Sequence, residues 1–94
     1  MDCGCFQLAW RVRPAGEGPG PARVGVVASR VAVGNAVQRN RAKRRLRELY
    51  RRNQPLVPAG FDLVLTARAA LLRIEFAEAT ARFIQACERI KAHA

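Results

Sequence analysis

The first part of the chain alternates between apolar and polar side chains, which is the period of a half-buried β-strand. Over residues 5–13 the apolar positions are Phe6, Leu8, Trp10 and Val12. Residues 24–29 are again β-rich and follow the Pro- and Gly-rich segment PAGEGPGPA at residues 14–22. We predict that these two strands pair as an antiparallel hairpin with a long turn.

A helix is predicted after the Gly34-Asn35 step. Asn35 is a good N-cap because its side-chain oxygen can accept a hydrogen bond from an unpaired backbone amide of the first turn. The helix should run over Ala36–Asn53 and stop before Pro55 and Pro58. At ~100° per residue, three apolar side chains fall within an arc of about 60°. These side chains predict a buried seam made of Ala42, Leu46 and Leu49. Tyr50 lies just beyond this seam.

Two further elements follow along the chain. Phe61–Ala67 (FDLVLTA) predicts a third strand that is apolar enough to be central. In the last segment, side chains recur at spacings of three, four and seven residues, which predicts an amphipathic helix that packs on a sheet. These side chains are Phe76, Ala79, Thr80, Phe83, Cys87 and Ile90. The 94 residues contain no repeat or linker, so one domain over residues 1–94 is expected.

The first helix is densely basic. Residues 39–52 (RNRAKRRLRELYRR) contain eight basic side chains and one acid, Glu48, and so carry +7 of the formal net charge of +10. One flank of the apolar seam has Arg39, Asn40, Lys43 and Arg47. The other flank has Arg41, Arg45 and Arg52. A helix face that only keeps a protein soluble usually mixes both signs, so this arginine-rich face favours a polyanion such as a phosphate backbone.

The class of partner can be narrowed further. An anionic membrane surface would also attract this charge, but no apolar stretch approaches the roughly 20 residues of a spanning helix. No export signal follows Met1, so a cytoplasmic protein is expected.

Cys3, Cys5 and Cys87 could form a zinc site with His93, but the paired Cys-x₂-Cys spacing is missing. We therefore expect no metal, two surface thiols and one core cysteine.

The chain is a poor candidate for catalysis on its own. It has one histidine near its end, few acids and no Gly-rich phosphate loop. Asp62 and Glu48 are interpreted as a strand-end acid and an ion-pair partner. A helix-turn-helix is disfavoured because prolines and a strand follow the basic helix. A ribosomal-protein-like domain, or another standalone RNA-binding module, stays open.

The order of motifs resembles the protein subunit of bacterial ribonuclease P. Ser29-Arg30 ends a strand, Gly34-Asn35-Ala36-Val37 follows, and residues 39–48 read RNRAKRRLRE. These residues are similar to the family's Gly-x-Ala-Val step and Arg-Asn-Arg helix. FDLV at residues 61–64, Ala67-Arg68 and the final amphipathic helix also fit.

This resemblance implies a small α/β (α+β) sandwich with a mixed sheet of three to four strands and a C-terminal amphipathic helix. The basic helix would join two parallel strands by a left-handed crossover, against the usual right-handed rule. The implied function is assistance in 5′ maturation of precursor tRNA. A catalytic RNA subunit would use magnesium ions for the hydrolysis, while the protein would bind that RNA and the 5′ leader. The protein alone would bind no cofactor, and neither a membrane nor DNA is an expected partner.

The family's functional positions are carried over motif by motif. Its RNA-binding residues would be Arg30, Arg39, Asn40, Arg41, Lys43, Arg44, Arg45 and Arg47. Those implied to line a cleft for the leader are Gln7, Ala9, Arg11, Arg39, Asn40, Lys43 and Arg47. Arg41, Arg44 and Arg45 would anchor the RNA subunit or orient the motif.

The chain also departs from the family pattern. The family's basic, aromatic N-terminal helix has no match ahead of the first strand. In the family, two basic residues usually follow the serine. Here these positions are Arg30 and Val31, and one extra residue separates them from the Gly34-Asn35 step. Because Ala9 replaces a stacking aromatic residue, leader binding is expected to depend more on charge.

Overall fold

The computed structural model describes residues 1–14, 20 and 22–93. The elements in chain order are strands β1 (Phe6–Val12) and β2 (Arg23–Val27), helix α1 (Ala36–Asn53), strand β3 (Phe61–Ala67) and helix α2 (Phe76–His93). Short 3₁₀ helices at Gln54–Leu56 and Ala69–Leu72 precede β3 and α2. Most of the predicted turn at residues 14–22 lies outside the described residues.

The sheet is mixed and has the strand order β1-β3-β2. β3 pairs antiparallel with β1 from Phe6↔Ala67 to Val12↔Phe61. It pairs parallel with β2 from Arg23↔Asp62 to Val27↔Thr66. The predicted hairpin is therefore wrong, because β3 lies between the two strands that were expected to pair. β3 is the strand with the most buried positions, so the central place satisfies its backbone on both sides.

Helix α1 connects the parallel strands β2 and β3, as a crossover must. It has the predicted bounds and the predicted N-cap. The Asn35 side chain accepts from the Gln38 amide at 3.0 Å, and the Gln38 side chain accepts from the Asn35 amide at 3.0 Å. This reciprocal capping box satisfies two backbone donors at the start of the helix.

One face of the sheet forms the core with both helices. The predicted seam of α1 is confirmed, since Ala42, Leu46 and Leu49 are fully buried. Phe6 of β1 and Phe83 of α2 bring their ring centroids within 6.3 Å across the layers. Val12 departs from the expected pattern, since 59% of its surface is exposed.

The first five residues fold back along the outer edge of β1. The Met1 amine donates to the Leu8 carbonyl at 2.8 Å, and the Leu8 amide donates to the Met1 carbonyl at 2.8 Å. The turn passes through Gly4, whose φ is +83°. The return path buries Cys3 and Cys5, so the expectation of two surface thiols is wrong. Burial raises the pKa of all three thiols, that of Cys87 to about 11.

No helix within the described residues is long and apolar enough to cross a membrane. That part of the chain also brings no three potential metal ligands of the His, Cys, Asp or Glu type together. The side chain of His93, the fourth candidate ligand, lies outside the described residues.

Candidate nucleic-acid interface

The face of the sheet opposite the helices is open. The strand registers divide it into three rows across β1, β3 and β2. The rows are Gln7–Thr66–Val27, Ala9–Val64–Gly25 and Arg11–Asp62–Arg23. Val27 and Val64 are 44% and 43% exposed because no element of the described residues covers them. The sheet thus forms a shallow floor of small and apolar side chains, with arginines at one end.

The three residues of β1 that were predicted to line the leader cleft lie on this floor. Gln7, Ala9 and Arg11 are all exposed. Arg11 is engaged within the chain, since its Nε donates to Asp62 Oδ2 at 3.1 Å. Within the part of the chain that the structure describes, the centre of the floor presents no aromatic ring, because Ala9, Val64 and Gly25 occupy it.

Asp62 joins the two edge strands at the basic end of the floor. Arg23 of β2 donates to both carboxylate oxygens at 2.9 Å, and Arg13 donates through Nη2 at 3.2 Å. Hydrogen bonds from Arg23 above all, and then from Arg13 and Arg11, hold the pKa of this carboxyl well below its usual range. Asp62 therefore fixes arginines at the end of the sheet, which is more than the strand-end acid that was expected.

The first basic stripe of α1, defined as Arg39, Asn40, Lys43 and Arg47, lies on the side of the helix towards β2. Tyr50 gives this orientation, because its hydroxyl donates to the Ala22 carbonyl just before β2 at 2.7 Å. At ~100° per residue, Tyr50 falls between Arg39 and Lys43 on the helix surface. The stripe therefore follows the β2 edge of the sheet, beside the open floor.

The cations of this stripe have no counter-charge among the described residues, where no carboxylate lies within salt-bridge distance of Arg39, Lys43 or Arg47. Asn40 and Arg47 are exposed, whereas Arg39 and Lys43 are partly buried. The Nε atom of Arg39 is buried and finds no hydrogen-bond acceptor in the described part of the chain. A single-sign stripe with unpaired donors is suited to an external anion.

The opposite side of α1 uses part of its charge internally. Arg45 donates to the Leu71 carbonyl at 2.6 Å and to the Ile74 carbonyl at 3.0 Å. Arg45 thus links α1 to the segment before α2. Of the two roles expected for Arg45, these hydrogen bonds favour orienting the helix over anchoring the RNA subunit. Glu48 accepts from Arg52 at 2.8 Å and also from Arg51, so its role as an ion-pair partner is confirmed.

The remaining RNA-binding candidates are exposed. Arg41 and Arg44 lie on the outer face of α1. Arg30 lies in the turn between β2 and α1, where the Ser29 hydroxyl accepts from the Ala32 amide at 3.1 Å. Phe76 packs against the core, as predicted from its place on the apolar side of α2, but the sequence pattern missed its further contacts. Phe76 is only partly buried and contacts the guanidiniums of Arg45 and Arg52.

Comparisons with known proteins agree with this architecture. The sequence model of the family described as Ribonuclease P matches residues 4–91. The ribonuclease P protein component of Symbiobacterium thermophilum is 46% identical over 69 residues, which are 73% of this chain and 59% of that protein. That of Natranaerobius thermophilus is 42% identical over 59 residues, covering 63% of this chain and 51% of the relative. The chain thus spans between half and three-fifths of the length of these two relatives.

A solved structure extends the similarity to the fold. The RNase P protein from Thermotoga maritima superimposes with a TM-score of 0.79 at 29% identity, covering 95% of this chain and 80% of that one. Fold and interface define a small α+β domain that presents a dense basic helix beside an open sheet face. The chain belongs to the Ribonuclease P protein family.

Proposed function

We propose that the chain is the protein subunit of a ribonuclease P ribonucleoprotein. The first basic stripe carries this proposal, because its cations have no carboxylate partner among the described residues and lie, with an exposed amide, along the edge of an open sheet face. A single-stranded 5′ leader on the floor would have its phosphates beside Arg39, Lys43 and Arg47. The family match over residues 4–91 supports the same role.

In this proposal the protein binds and positions RNA, and the RNA subunit performs the hydrolysis with magnesium ions. Two acids of the interface are already held by arginines, Asp62 in the sheet and Glu48 on α1. Neither is poised to act as a general base, because each carboxylate accepts charge-assisted hydrogen bonds. The 5′ maturation of precursor tRNA would take place in the cytoplasm.

The leader would be held mainly by charge. Stacking of a base on an aromatic side chain contributes ≈ 1–3 kcal/mol per base in other proteins. The centre of the floor has Ala9, Gly25 and Val64 and no aromatic ring among the described residues, so this contribution is missing there. Preference for a leader sequence should therefore be weak, since phosphate contacts carry no sequence information.

Reconstitution tests the proposal. The chain is mixed with a bacterial ribonuclease P RNA at low magnesium, and the 5′ end of the cleaved precursor tRNA is mapped. We expect correct 5′ processing that the RNA alone does not achieve at that magnesium concentration. Absence of stimulation by protein shown to be folded by circular dichroism would refute the assignment.

A further inference from the structure

A pocket lies at the outer edge of β1, between the returning residues 1–4 and helix α2. It has a volume of about 370 Å³. The strand order β1-β3-β2 places it across the sheet from the first basic stripe, which follows the β2 edge. None of the predicted RNA-binding residues lines this pocket. Its wall on α2 is one face of the helix, with Arg82, Gln85, Ala86 and Arg89.

The guanidinium of Arg82 is built into the wall of the pocket. Its Nη1 donates to the Cys3 carbonyl at 3.1 Å, and its Nη2 donates to Glu78 at 3.1 Å. Gly4 permits this approach, because its φ is +83° and a Cβ there would lie 2.6 Å from Arg82 Nη1. The Nε atom of Arg82 is buried and finds no acceptor in the described part of the chain. The pocket therefore holds a cation in one orientation, with a buried donor still unsatisfied.

The charged side chains of the lining leave a positive surplus, since two arginines face one acid. Arg89 is exposed, and no carboxylate of the described residues lies within salt-bridge distance of it. The acid is Asp2, whose carboxylate accepts from the Gly4 amide at 2.8 Å and pairs with Arg68 at 3.4 Å. Gln85 adds an exposed amide on the same helix face. The pocket thus has donors for one monovalent anion.

Part of the lining is apolar. Met1 packs against the core, and Cys3 and Ala86 are buried. Apolar side chains beside a few polar donors suit a ligand that carries aliphatic carbon next to its charge. A planar carboxylate matches the planar fork of a guanidinium. A ribose-phosphate backbone is polar along its whole length and has no such aliphatic part.

We propose that this pocket binds an aliphatic carboxylate, which is either a free small acid or a glutamate side chain of another protein. Arg82 and Arg89 would donate to the carboxylate oxygens, and Gln85 would add a third donor. The aliphatic carbons would lie against Met1, Cys3 and Ala86. The inference goes beyond the proposed function, because the pocket and the basic helix could be occupied at the same time.

The main test is a titration of the full chain with sodium hexanoate, followed by the backbone amide signals in ¹H–¹⁵N NMR spectra. Saturable shifts are expected at Cys3, Gly4, Gln85, Ala86 and Arg89. Acetate should bind at least about tenfold more weakly, because each buried methylene that it lacks contributes up to about fourfold in affinity. Shifts that do not saturate, or that spread equally over α1, would overturn the proposal.

Two further probes test the chemistry of the ligand. 1-Hexanol has the aliphatic chain without the charge, and dimethyl phosphate has the charge of a phosphodiester without the chain. Both should bind at least about tenfold more weakly than hexanoate, since each lacks one of the two kinds of contact. Equal binding of 1-hexanol would mean that the arginines play no part, and equal binding of dimethyl phosphate would indicate a phosphodiester site. Either result would refute the carboxylate assignment.

Variants of single arginines locate the binding. Arg89→Ala removes an exposed cation and should weaken hexanoate binding by about three- to tenfold. Arg73→Ala is the matched control, because Arg73 is also exposed but lies outside the pocket, and it should change the Kd by less than about twofold. The amide signals of Phe6 and Leu8 show whether residues 1–4 still lie along β1. Equal effects of the two substitutions would contradict the pocket.

Competition separates the two sources and the two binding sites. A blocked tripeptide with a central glutamate should bind more tightly than hexanoate if the carboxylate belongs to another protein, and more weakly if it belongs to a free small acid. Single-stranded RNA that saturates the basic helix should change the hexanoate Kd by less than about twofold, as expected for distant sites. Displacement of hexanoate by RNA would place its binding on α1 and overturn the proposal. Failure of the chain to bind RNA would refute the proposed function and leave this pocket unaffected.

Discussion

Gly34 sets the backbone conformation from which the basic helix begins. Its φ is +127°, in a region that side-chain-bearing residues rarely adopt. A Cβ built there would collide with the Gln38 side chain, which closes the capping box on Asn35. The glycine, the asparagine and the glutamine therefore act together to fix where the helix starts, and with it the direction of every cation on α1.

Gly34→Ala should destabilise the fold by about 2–3 kcal/mol, since it strains the backbone and displaces the capping glutamine. Urea unfolding at neutral pH measures this loss. Gly25→Ala is the matched control, because a Cβ at Gly25 meets no atom within 4 Å and should change stability by less than about 0.5 kcal/mol. Similar stability of the two variants would show that the Gly34 conformation is not required.

Arg39 and Lys43 test the side of α1 that follows the β2 edge of the sheet, beside the open floor. In the double variant Arg39→Ala, Lys43→Ala, affinity for precursor tRNA in the reconstituted particle should fall about tenfold or more. Affinity for mature tRNA should be nearly unchanged, because it has no leader. Equilibrium binding of both substrates gives the comparison, and equal losses for the two would place the stripe away from the leader.

At the scale of elements, the sequence predicted what depends on local pattern and failed where distant strands choose partners. The bounds of α1 and β3 follow from capping, proline and periodicity, and the seam of Ala42, Leu46 and Leu49 follows from helical spacing. The pairing of β1 with β2 was wrong, because nothing in either strand signals that β3 will be inserted between them. The return of residues 1–5 along β1 could not be predicted either. It is held by backbone hydrogen bonds, which leave no pattern of apolar side chains in the sequence.

The same reasoning applies to the interface. The two stripes of α1 could be read from the helical wheel, since both lie on one element. The contacts of Phe76 with Arg45 and Arg52 could not be predicted, because they join two elements that are distant in sequence. The Arg11–Asp62–Arg23 row has the same origin, as it depends on the registers of three strands.

Asp62 makes the sheet sensitive to acid. A carboxyl whose pKa is lowered on folding contributes stability that is complete above its ordinary value near 4. That contribution is lost as the pH falls through the lower folded pKa. Urea unfolding at a series of pH values should therefore show Asp62→Asn less stable than the unmodified chain at neutral pH, with the difference shrinking below about pH 4. A difference independent of pH would mean that the arginines do not act through the ionised carboxylate.

At the scale of the whole molecule, α1 has cations on two sides of one helix. The buried seam fixes the helix on the sheet, Tyr50 links one side of it to the start of β2, and Arg45 links the other side to the start of α2. Because both sides belong to one helix, RNA segments bound to the two sides in the proposed particle would be held at a fixed separation. The protein would then act as a spacer between substrate and RNA subunit, using electrostatics on both surfaces.

Salt dependence separates charge from hydrogen bonding in this arrangement. Five cations of α1 have neither a carboxylate nor a carbonyl acceptor among the described residues, and they are Arg39, Arg41, Lys43, Arg44 and Arg47. In the proposed particle, log K for RNA should therefore fall with log salt at a slope of about −4. Replacing Arg39, Lys43 and Arg47 with alanine should make that slope shallower by about 2–3. Asn40→Ala should weaken binding of precursor tRNA by a few-fold and leave the slope unchanged, because it removes a hydrogen bond and no charge. Filter binding over a salt series measures both quantities, and a changed slope in the Asn40 variant would show that this side chain acts by orienting its charged neighbours.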